Sequence, residues 1–324
     1  MHEPTAIAHP NIAFIKYWGN RDNDLRLPAN SSISMSLGAL ETRTSVTLIP
    51  ELTSDELVLD GSTQSGSALE RVATFLEIIR AASGSREFAR VVSENTFPQS
   101  AGIASSASGF AALALASAHV YGLDLTEKEL SILARRGSGS AARSIPAGFV
   151  EWHAGLSSRD SFAETIAPPS HWQLWDCIAM VEDQPKKIGS TQGHHLAETS
   201  PLQLGRLQDA DRRLDLCRQA ILQKDFIKLA DVIELDSNMM HSVMLTSRPP
   251  LLYWSPASLE IMQQVAAWRA AGLEAAYTLD AGPNVHVICT ADSRQTVVER
   301  LAAIQGVMNT IVSPAGGGAF LVSP

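Results

Sequence analysis

The stretch that decides the fold is PQSAGIASSASG, residues 98–109, in which nearly every side chain is small. It follows a β-like run over 88–93 and leads into an apolar helical pattern over 110–120. Small residues let a ligand approach the backbone, and a helix start presents unpaired N–H groups and the positive end of the helix dipole. A phosphate group suits such a place. A Ser/Ala-rich helix start packed tightly against a neighbour would have the same composition, so the run alone leaves both interpretations open.

Two hydroxyls in this run, Ser105 and Ser106, are placed to bond a phosphate or to reach a phosphate-bound Mg²⁺. No Gly-Lys-Ser/Thr follows the glycine, so the run is not a Walker A loop. The sequence also contains no Gly-x-Ser-x-Gly elbow and no Gly-x-Gly-x-x-Gly fingerprint. Asp236, Asn238 and His241 lie close together on a predicted helix, where core or surface roles are favoured over a metal site.

Composition and charge restrict the class of protein. The 324 residues are enough for two domains or one large domain, and 45% hydrophobic with 18% charged residues is typical of a soluble globular protein. The 25 basic and 34 acidic residues give a net charge of −9 which, without any basic run, argues against nucleic-acid binding. Three widely spaced cysteines, no visible signal peptide and no membrane-spanning stretch indicate a reducing compartment. We therefore expect a cytoplasmic protein with no nucleic-acid or membrane partner.

Hydrophobic periodicity divides the chain into two parts. Strand patterns occupy 32–37, 42–49, 56–59, 149–152 and 174–181, and capping boxes predict helix starts at Ser67 and Thr126. After Pro185, helical patterns at 200–245 and 256–271 are followed by strands at 275–279 and 285–290, a helix at 293–304 and a last strand at 309–312. This order predicts an α+β protein with an N-terminal domain over 1–185 and a ferredoxin-like C-terminal domain over 186–324.

A second loop of small residues, GSGSAAR at 137–143, offers the hydroxyls of Ser138 and Ser140 and the guanidinium of Arg143. Backbone amides, hydroxyls and an arginine fork suit a carboxylate or a phosphate. For this loop alone, a plain turn between a helix and the next element is the favoured interpretation.

Two charged residues stand out beside apolar runs. Lys16 lies in the run NIAFIKYWG at 11–19, where a buried ammonium needs an anionic partner. Asp280 follows the strand pattern at 275–279 and precedes Ala-Gly-Pro-Asn. An aspartate at such a place serves either as a turn residue or as a general base, and spacing alone does not choose between the two.

Together these segments resemble the mevalonate diphosphate decarboxylase family of the GHMP kinase superfamily. The matching pieces occur in the family's order and span most of the chain: NIA and KYWG at 11–13 and 16–19, LP and NSSIS at 27–28 and 30–34, AGIASSASG at 101–109, GSGS and RS at 137–140 and 143–144, STQG at 190–193, and T with DAGPN at 278 and 280–284. Each piece alone is weak evidence, whereas the ordered set is specific. The resemblance implies a two-domain GHMP kinase fold, with a ribosomal protein S5 domain 2-like N-terminal domain that binds ATP and a ferredoxin-like C-terminal domain. It also implies a homodimer.

The family's reaction gives each segment a role. ATP phosphorylates the tertiary hydroxyl of a mevalonate phosphate, and the intermediate then loses phosphate and CO2 to give an isopentenyl product. The resemblance implies that Asp280 orients or deprotonates this hydroxyl, that Lys16 stabilises the developing negative charge, and that Arg143 faces the carboxylate. It further implies contacts to ATP and Mg²⁺ from Gly102, Ala104, Ser105, Ser106 and Ser108, with Ser106 reaching the metal, and contacts to the substrate from Tyr17, Asn20, Ser138, Ser140, Arg143 and Ser190.

One position departs from the family's pattern. Members that act on the diphosphate commonly read Lys-Tyr-Trp-Gly-Lys, in which the second lysine helps to bind the terminal phosphate, whereas this chain has Asn20 there. Loss of that cation removes a charge-assisted contact of roughly 1.5–3 kcal/mol. We therefore expect mevalonate 5-phosphate as substrate and isopentenyl phosphate as product, with Arg21 or Lys187 as the other candidate cations. The alternatives are a diphosphomevalonate decarboxylase that makes isopentenyl diphosphate and a mevalonate-type GHMP kinase that does not decarboxylate.

Overall fold

The computed structural model describes residues 5–97, 105–182 and 189–322. Its strands are β1 Thr5–Ala8, β2 Asn11–Ile15, β3 Asn20–Asp22, β4 Leu27–Pro28, β5 Ser32–Ser36, β6 Thr42–Leu48, β7 Glu56–Leu59, β8 Ser62–Thr63, β9 Ala89–Asn95, β10 Phe149–Trp152, β11 Ala163–Ala167, β12 Leu174–Met180, β13 Ala275–Thr278, β14 Val285–Thr290, β15 Asn309–Pro314 and β16 Phe320–Val322. Its helices are α1 Ser67–Ser83, α2 Ser105–Val120, α3 Glu127–Gly137, α4 Ser190–Leu196, α5 Gln203–Gln208, α6 Ala210–Gln223, α7 Phe226–Thr246, α8 Pro256–Ala270 and α9 Arg294–Ala302, with short 3₁₀ helices at Gly139–Ser144 and Ala197–Thr199. No helix within the described ranges is long and apolar enough to cross a membrane.

Two sheets are built mainly from the first half of the chain. The larger has the strand order β16-β1-β6-β9-β7-β8, and the smaller has the order β11-β10-β5-β2. In β6, Thr42, Thr44 and Val46 are buried and the residues between them are more exposed, which is the period of two that a half-buried strand requires. The strand patterns at 32–37, 42–49, 56–59 and 149–152 are confirmed.

Helix α2 packs against β1 and β6 of the larger sheet. Its buried face is rich in alanine, and small side chains let a helix approach a sheet closely. Ser108 on this face is fully buried, and its hydroxyl lies 2.7 Å from Thr42 Oγ1. Ser105 is half-buried and Ser106 is exposed. Tight packing therefore accounts for Ser108, whereas the Ser106 side chain is open to a ligand.

The third large sheet has the strand order β13-β14-β12-β15 and is antiparallel throughout. Helices α8 and α9 cover one face of it with apolar side chains such as Ile261 and Val297. Helix α7 contacts both β13 of this sheet and β2 of the smaller N-terminal sheet. It thereby holds the ends of β2 and β13 close together, and Lys16 and Asp280 follow those two ends.

The sheets do not follow the expected division between residues 185 and 186. Strand β12 precedes that point but is hydrogen-bonded between β14 and β15. Strand β16, which lies beyond the expected last strand, returns to pair with β1. Such pairings join residues far apart in sequence, and local periodicity does not report them. We propose that the domain division lies before Leu174.

Only one of the two expected capping boxes forms. The Thr126 side chain accepts a hydrogen bond from the Glu129 N–H, and the Glu129 carboxylate accepts one from the Thr126 N–H. The capping box expected at Ser67 is wrong, because Gly66 is the N-cap residue and Ser67 already lies inside α1. Gly66 has a φ of 61°, a backbone region that favours glycine. The helical pattern at 200–245 is confirmed and forms three helices, α5 to α7.

Candidate active site

A lysine and an aspartate from the two halves of the chain form the centre of the site. Lys16 Nζ donates a hydrogen bond to Asp280 Oδ1 at 2.7 Å. The Lys16 side chain is 1% exposed, whereas the Asp280 side chain is 30% exposed. The ammonium is therefore enclosed, and the carboxylate is the part of the pair that a ligand can reach. The anionic partner that a buried Lys16 requires is Asp280.

Asp236 on α7 fixes the backbone of Lys16. Its Oδ2 accepts a hydrogen bond from the Lys16 N–H at 2.6 Å, and its Oδ1 accepts one from Arg213 Nε at 2.7 Å. Arg206 donates to the Lys16 carbonyl oxygen at 2.7 Å. All three of these charged side chains are buried. Sequence reasoning favoured a core or surface role for Asp236 and missed its position beside Lys16. The signal that could have indicated it was a carboxylate within a largely apolar helix.

The charges around the pair determine its protonation. Burial is the largest influence on the Asp280 carboxyl and raises its pKa, but Lys16, His286 and Arg143 together outweigh it, so the pKa lies below the ordinary value. Asp280 is therefore ionised at neutral pH. Burial lowers the pKa of the Lys16 ammonium, and the negative charges of Asp280 and Asp236 offset only part of that effect.

Arg143 lies at the end of the loop after α3 and is held from two sides. Its Nε donates to Asn11 Oδ1 at 3.2 Å and its Nη1 to Ser32 Oγ at 2.6 Å, and the guanidinium lies 5.8 Å from the Trp152 ring centre. The side chain is 3% exposed and pairs with no carboxylate among residues 5–97, 105–182 and 189–322. Burial lowers its pKa to about 10, so it remains a cation at neutral pH. A buried, uncompensated guanidinium favours an anionic ligand.

The serines of the two small-residue loops meet. Ser106 Oγ lies 3.3 Å from Ser138 Oγ, which in turn lies 3.5 Å from Ser140 Oγ. The start of α2 and the loop after α3 therefore face each other, and their hydroxyls converge on one place. The interpretation of residues 137–143 as a plain turn gives no reason for this convergence.

Tyr17 and Asn20 lie next to the same loop. The Tyr17 hydroxyl donates to Asn20 Oδ1, and the Tyr17 ring stacks on His194 with 4.1 Å between ring centres. Burial raises the Tyr17 pKa to about 12, so the hydroxyl stays protonated. A Cβ at Gly139 would lie 2.6 Å from the Tyr17 ring, which explains why the loop has glycine there. Sequence reasoning did not connect His194 with this site.

A pocket opens beside the start of α2. Most of its lining surface is apolar, and Arg71 lies over the Phe110 ring at 5.1 Å. The lining residues are Thr42, Thr44, Leu57, Leu59, Ala68, Arg71, Val72, Val91, Ser93, Asn95, Ser105, Ser106, Gly109, Phe110 and Leu113. They come from α1, α2 and three strands, so no single sequence motif marked the pocket.

Four expected contacts need separate comment. Ser108 is not among the residues that line the pocket, and its buried hydroxyl bonds Thr42 and the Ser105 carbonyl oxygen; its contact with a nucleotide stays a prediction. Gly102 and Ala104 lie outside the described residues. Ser190 begins α4, and its side chain lies outside what the structure describes.

Both parts of the chain match known protein families. Residues 8–163 match the diphosphomevalonate decarboxylase-like N-terminal domain, and residues 177–314 match the mevalonate 5-diphosphate decarboxylase C-terminal domain. The second match begins before residue 185, in agreement with the place of β12 in the C-terminal sheet. The diphosphomevalonate decarboxylase of Candida albicans is 38% identical over 318 residues, which cover 93% of this chain and 88% of that protein.

Solved structures show the same relationship. One is described as the mevalonate diphosphate mediated ATP binding mechanism of the mevalonate diphosphate decarboxylase from Enterococcus faecalis. It superposes on this chain with a TM-score of 0.91 at 38% identity and covers 99% of both chains. One described as MDDEF in complex with MVAPP, AMPPCP and magnesium has a TM-score of 0.93 at 38% identity, again over 99% of both chains. The chain belongs to the diphosphomevalonate decarboxylase family and has the two-domain α+β fold of the GHMP kinases.

Proposed function

We propose that this chain catalyses the ATP-dependent decarboxylation of mevalonate 5-diphosphate to isopentenyl diphosphate, with release of ADP, phosphate and CO2. The observation that carries the proposal is the Lys16–Asp280 pair with the uncompensated Arg143 close by. Phosphoryl transfer to a hydroxyl needs a carboxylate at the attacking oxygen and cations around the transferred group. The relatives compared above carry the name of this reaction.

Asp280 acts on the tertiary hydroxyl in the first step. Its partly open carboxylate accepts the hydroxyl hydrogen bond and takes the proton as the oxygen bonds the γ-phosphorus and ADP leaves. A carboxylate with a lowered pKa is a weak base, so its main contribution is to orient the hydroxyl. Lys16 holds the carboxylate in place and offsets negative charge that develops at the oxygen.

The second step separates phosphate and CO2. The C–O bond to the new phosphate breaks with its electron pair, and the electrons of the C–C bond to the carboxylate form the double bond. Arg143, held by Asn11 and Ser32, binds substrate carboxylate or phosphate as a fixed cation. Ser138 and Ser140 supply hydroxyl donors beside it.

The pocket beside α2 suits the nucleoside of ATP, because most of its lining surface is apolar and several hydroxyl and amide side chains also line it. Ser105 and Ser106 would then meet the phosphates at the start of the helix. The exposed Ser106 hydroxyl fits a role as ligand to Mg²⁺, and Mg²⁺ bound with ATP would neutralise phosphate charge there.

The expected preference for mevalonate 5-phosphate finds no support in the comparisons, since the relatives described above are named for the diphosphate. One observation keeps the monophosphate as a second candidate. Asn20 carries no charge, and its side chain is bonded to Tyr17 and Asn23, so position 20 supplies no cation for a terminal phosphate.

Steady-state assays of ADP and CO2 with mevalonate, its 5-phosphate and its 5-diphosphate test the proposal. We expect equal amounts of ADP and CO2 and the highest kcat/KM with the diphosphate. ADP without CO2 would identify a kinase that stops at the phosphorylated intermediate. A higher kcat/KM with the monophosphate would favour the second candidate. The homodimer and the cytoplasmic location remain predictions.

A further inference from the structure

Arg26 lies in the hairpin that carries Asn20. Strands β3 and β4 pair antiparallel, with Asn20 opposite Pro28 and Asp22 opposite Leu27. Arg26 immediately precedes β4, and its φ of 50° lies in the left-handed region that non-glycine residues rarely adopt. This backbone conformation closes the turn and fixes where the half-buried Arg26 side chain leaves the hairpin.

Of the two other cations that the sequence offered, Arg21 is the described one, and it is engaged elsewhere. Arg21 is exposed, and its Nη2 donates to the Ala154 carbonyl oxygen at 3.0 Å. Lys187 lies outside the described residues. Asn20 itself is tied to Tyr17 and to Asn23 at 3.0 Å. A terminal phosphate beside Tyr17 therefore needs a positive charge from another residue.

The Arg26 guanidinium reaches this place. Its Nε donates to the Arg136 carbonyl oxygen at 3.0 Å, one residue before the loop that holds Ser138. Apart from burial itself, the positive charge of Arg26 has the largest effect on the pKa of Tyr17 and on that of His194, and it lowers both. His194 stacks on Tyr17, so the Arg26 charge lies near both rings.

No carboxylate in the described part of the chain compensates Arg26. It forms no ion pair there, and its charged neighbours include Arg136, whose own Nε is buried without a hydrogen-bond partner. The protein has a net charge of −9, so two neighbouring half-buried arginines, Arg26 and Arg136, that form no ion pair with a described carboxylate are unusual. Like charges close together at partly buried positions are unfavourable unless an anion joins them.

We infer that Arg26 supplies the cation for the terminal phosphate that Asn20 cannot supply, and that Arg26 makes this chain favour the diphosphate over the monophosphate. The inference rests on the proposed function. The positive charge comes from the turn before β4 instead of from β3, while the Tyr17 hydroxyl is bonded to Asn20 on β3.

The test measures kcat/KM for both phosphorylated mevalonates in wild type and in Arg26→Gln. We expect kcat/KM for the diphosphate to fall about tenfold or more, as for one charge-assisted contact, and that for the monophosphate to change less than about threefold. Arg26→Lys keeps the charge and should retain most of the diphosphate preference. Adding Asn20→Lys to Arg26→Gln should restore it, because a cation returns in the same hairpin, at position 20 of β3.

Arg21→Gln is the matched control, an arginine of the same hairpin whose loss should leave both values unchanged. An equal loss with both substrates in Arg26→Gln, no rescue by Asn20→Lys, or an unchanged substrate ratio would overturn the inference. These outcomes require an active wild type. A wild type that releases CO2 from neither substrate contradicts the proposed function instead, and so the two failures are distinguishable.

Discussion

Replacement of Asp280 by asparagine keeps the size of the side chain and removes its charge. Lys16, whose side chain is 1% exposed, then loses the carboxylate 2.7 Å from its ammonium. Asp236 remains nearby, but its oxygens already accept from the Lys16 backbone N–H and from Arg213. The variant therefore leaves a buried ammonium without a paired carboxylate, and we expect it to affect both stability and catalysis.

The magnitude follows from the geometry of the pair. At the 2.7 Å separation, an effective dielectric constant of about 20 gives an attraction of about 6 kcal/mol, part of which burial offsets. Removal of one partner of a buried pair typically costs about 3–5 kcal/mol. Lys16 can instead release its proton, which from the ordinary pKa of 10.5 to pH 7 costs about 5 kcal/mol. We therefore expect the free energy of unfolding to fall by about 3–5 kcal/mol at pH 7.

The loss should depend on pH. The Asp280 pKa is lowered on folding, so the carboxylate stabilises the wild type above the ordinary pKa of 3.8, and this contribution disappears as the pH falls through the folded pKa. On the alkaline side, an unpaired Lys16 with a lowered pKa is relieved as the pH rises toward 10.5. The difference between wild type and Asp280→Asn is thus largest near neutral pH and shrinks on both sides.

Urea unfolding at pH 7 and 9.5, with kcat and the KM for ATP at pH 7, measures both effects. We expect kcat to fall by roughly 10²–10⁴-fold, the range for a positioned acid or base, with the KM for ATP little changed. Lys16→Met added to Asp280→Asn should recover stability but not activity. Asp124→Asn, an exposed aspartate, is the control. Near wild-type kcat in Asp280→Asn, or a double variant no more stable than the single one, would refute this account of the pair.

Two further variants examine the rest of the site. Arg143→Lys should lower kcat/KM for the acid substrate by at least tenfold, because a lysine cannot keep the bonds to Asn11 and Ser32 and also bind the ligand with two parallel N–H groups. A loss under about threefold would mean that Arg143 does not bind the substrate. Gly109→Val should raise the KM for ATP about tenfold without lowering the melting temperature, because a Cβ there meets no atom within 4 Å and the side chain enters the pocket. Gly205→Val, equally unobstructed on α5, should change neither value, and an unaltered KM for ATP in Gly109→Val would place the nucleotide elsewhere.

Local patterns predicted local structure well. The strand at 32–37 and the capping box at Thr126 are confirmed because each depends on neighbours within a few residues. The capping box at Ser67 failed because Gly66 reaches a backbone region that shifts the helix start by one residue. Membership of β12 in the C-terminal sheet could not be predicted, since strand partners lie more than one hundred residues away.

Site residues could be predicted from sequence where a residue type has few possible structural roles in its context. A lysine in an apolar run requires an anion, and Asp280 is that anion. Asp236 and Arg26 were missed because a lone charge on a helix or in a turn is usually solvated, and only the folded chain shows which groups surround it. The burial of the Ser108 hydroxyl against Thr42 could not be predicted, because a run of small residues has two faces and sequence does not show which face packs.

The pairing of β1 with β16 has a consequence for how the protein is made. Thr5 lies opposite Val322, and Lys16 bonds Asp280, so the first strand and this lysine leave the ribosome long before their partners exist. Contacts with such large sequence separation slow folding, and an unpaired strand edge favours aggregation meanwhile. The nascent N-terminal half therefore has an open strand edge and an unpaired lysine until residues 280 and 320–322 have been translated. Chaperones that bind exposed strand edges would therefore act mainly in that interval.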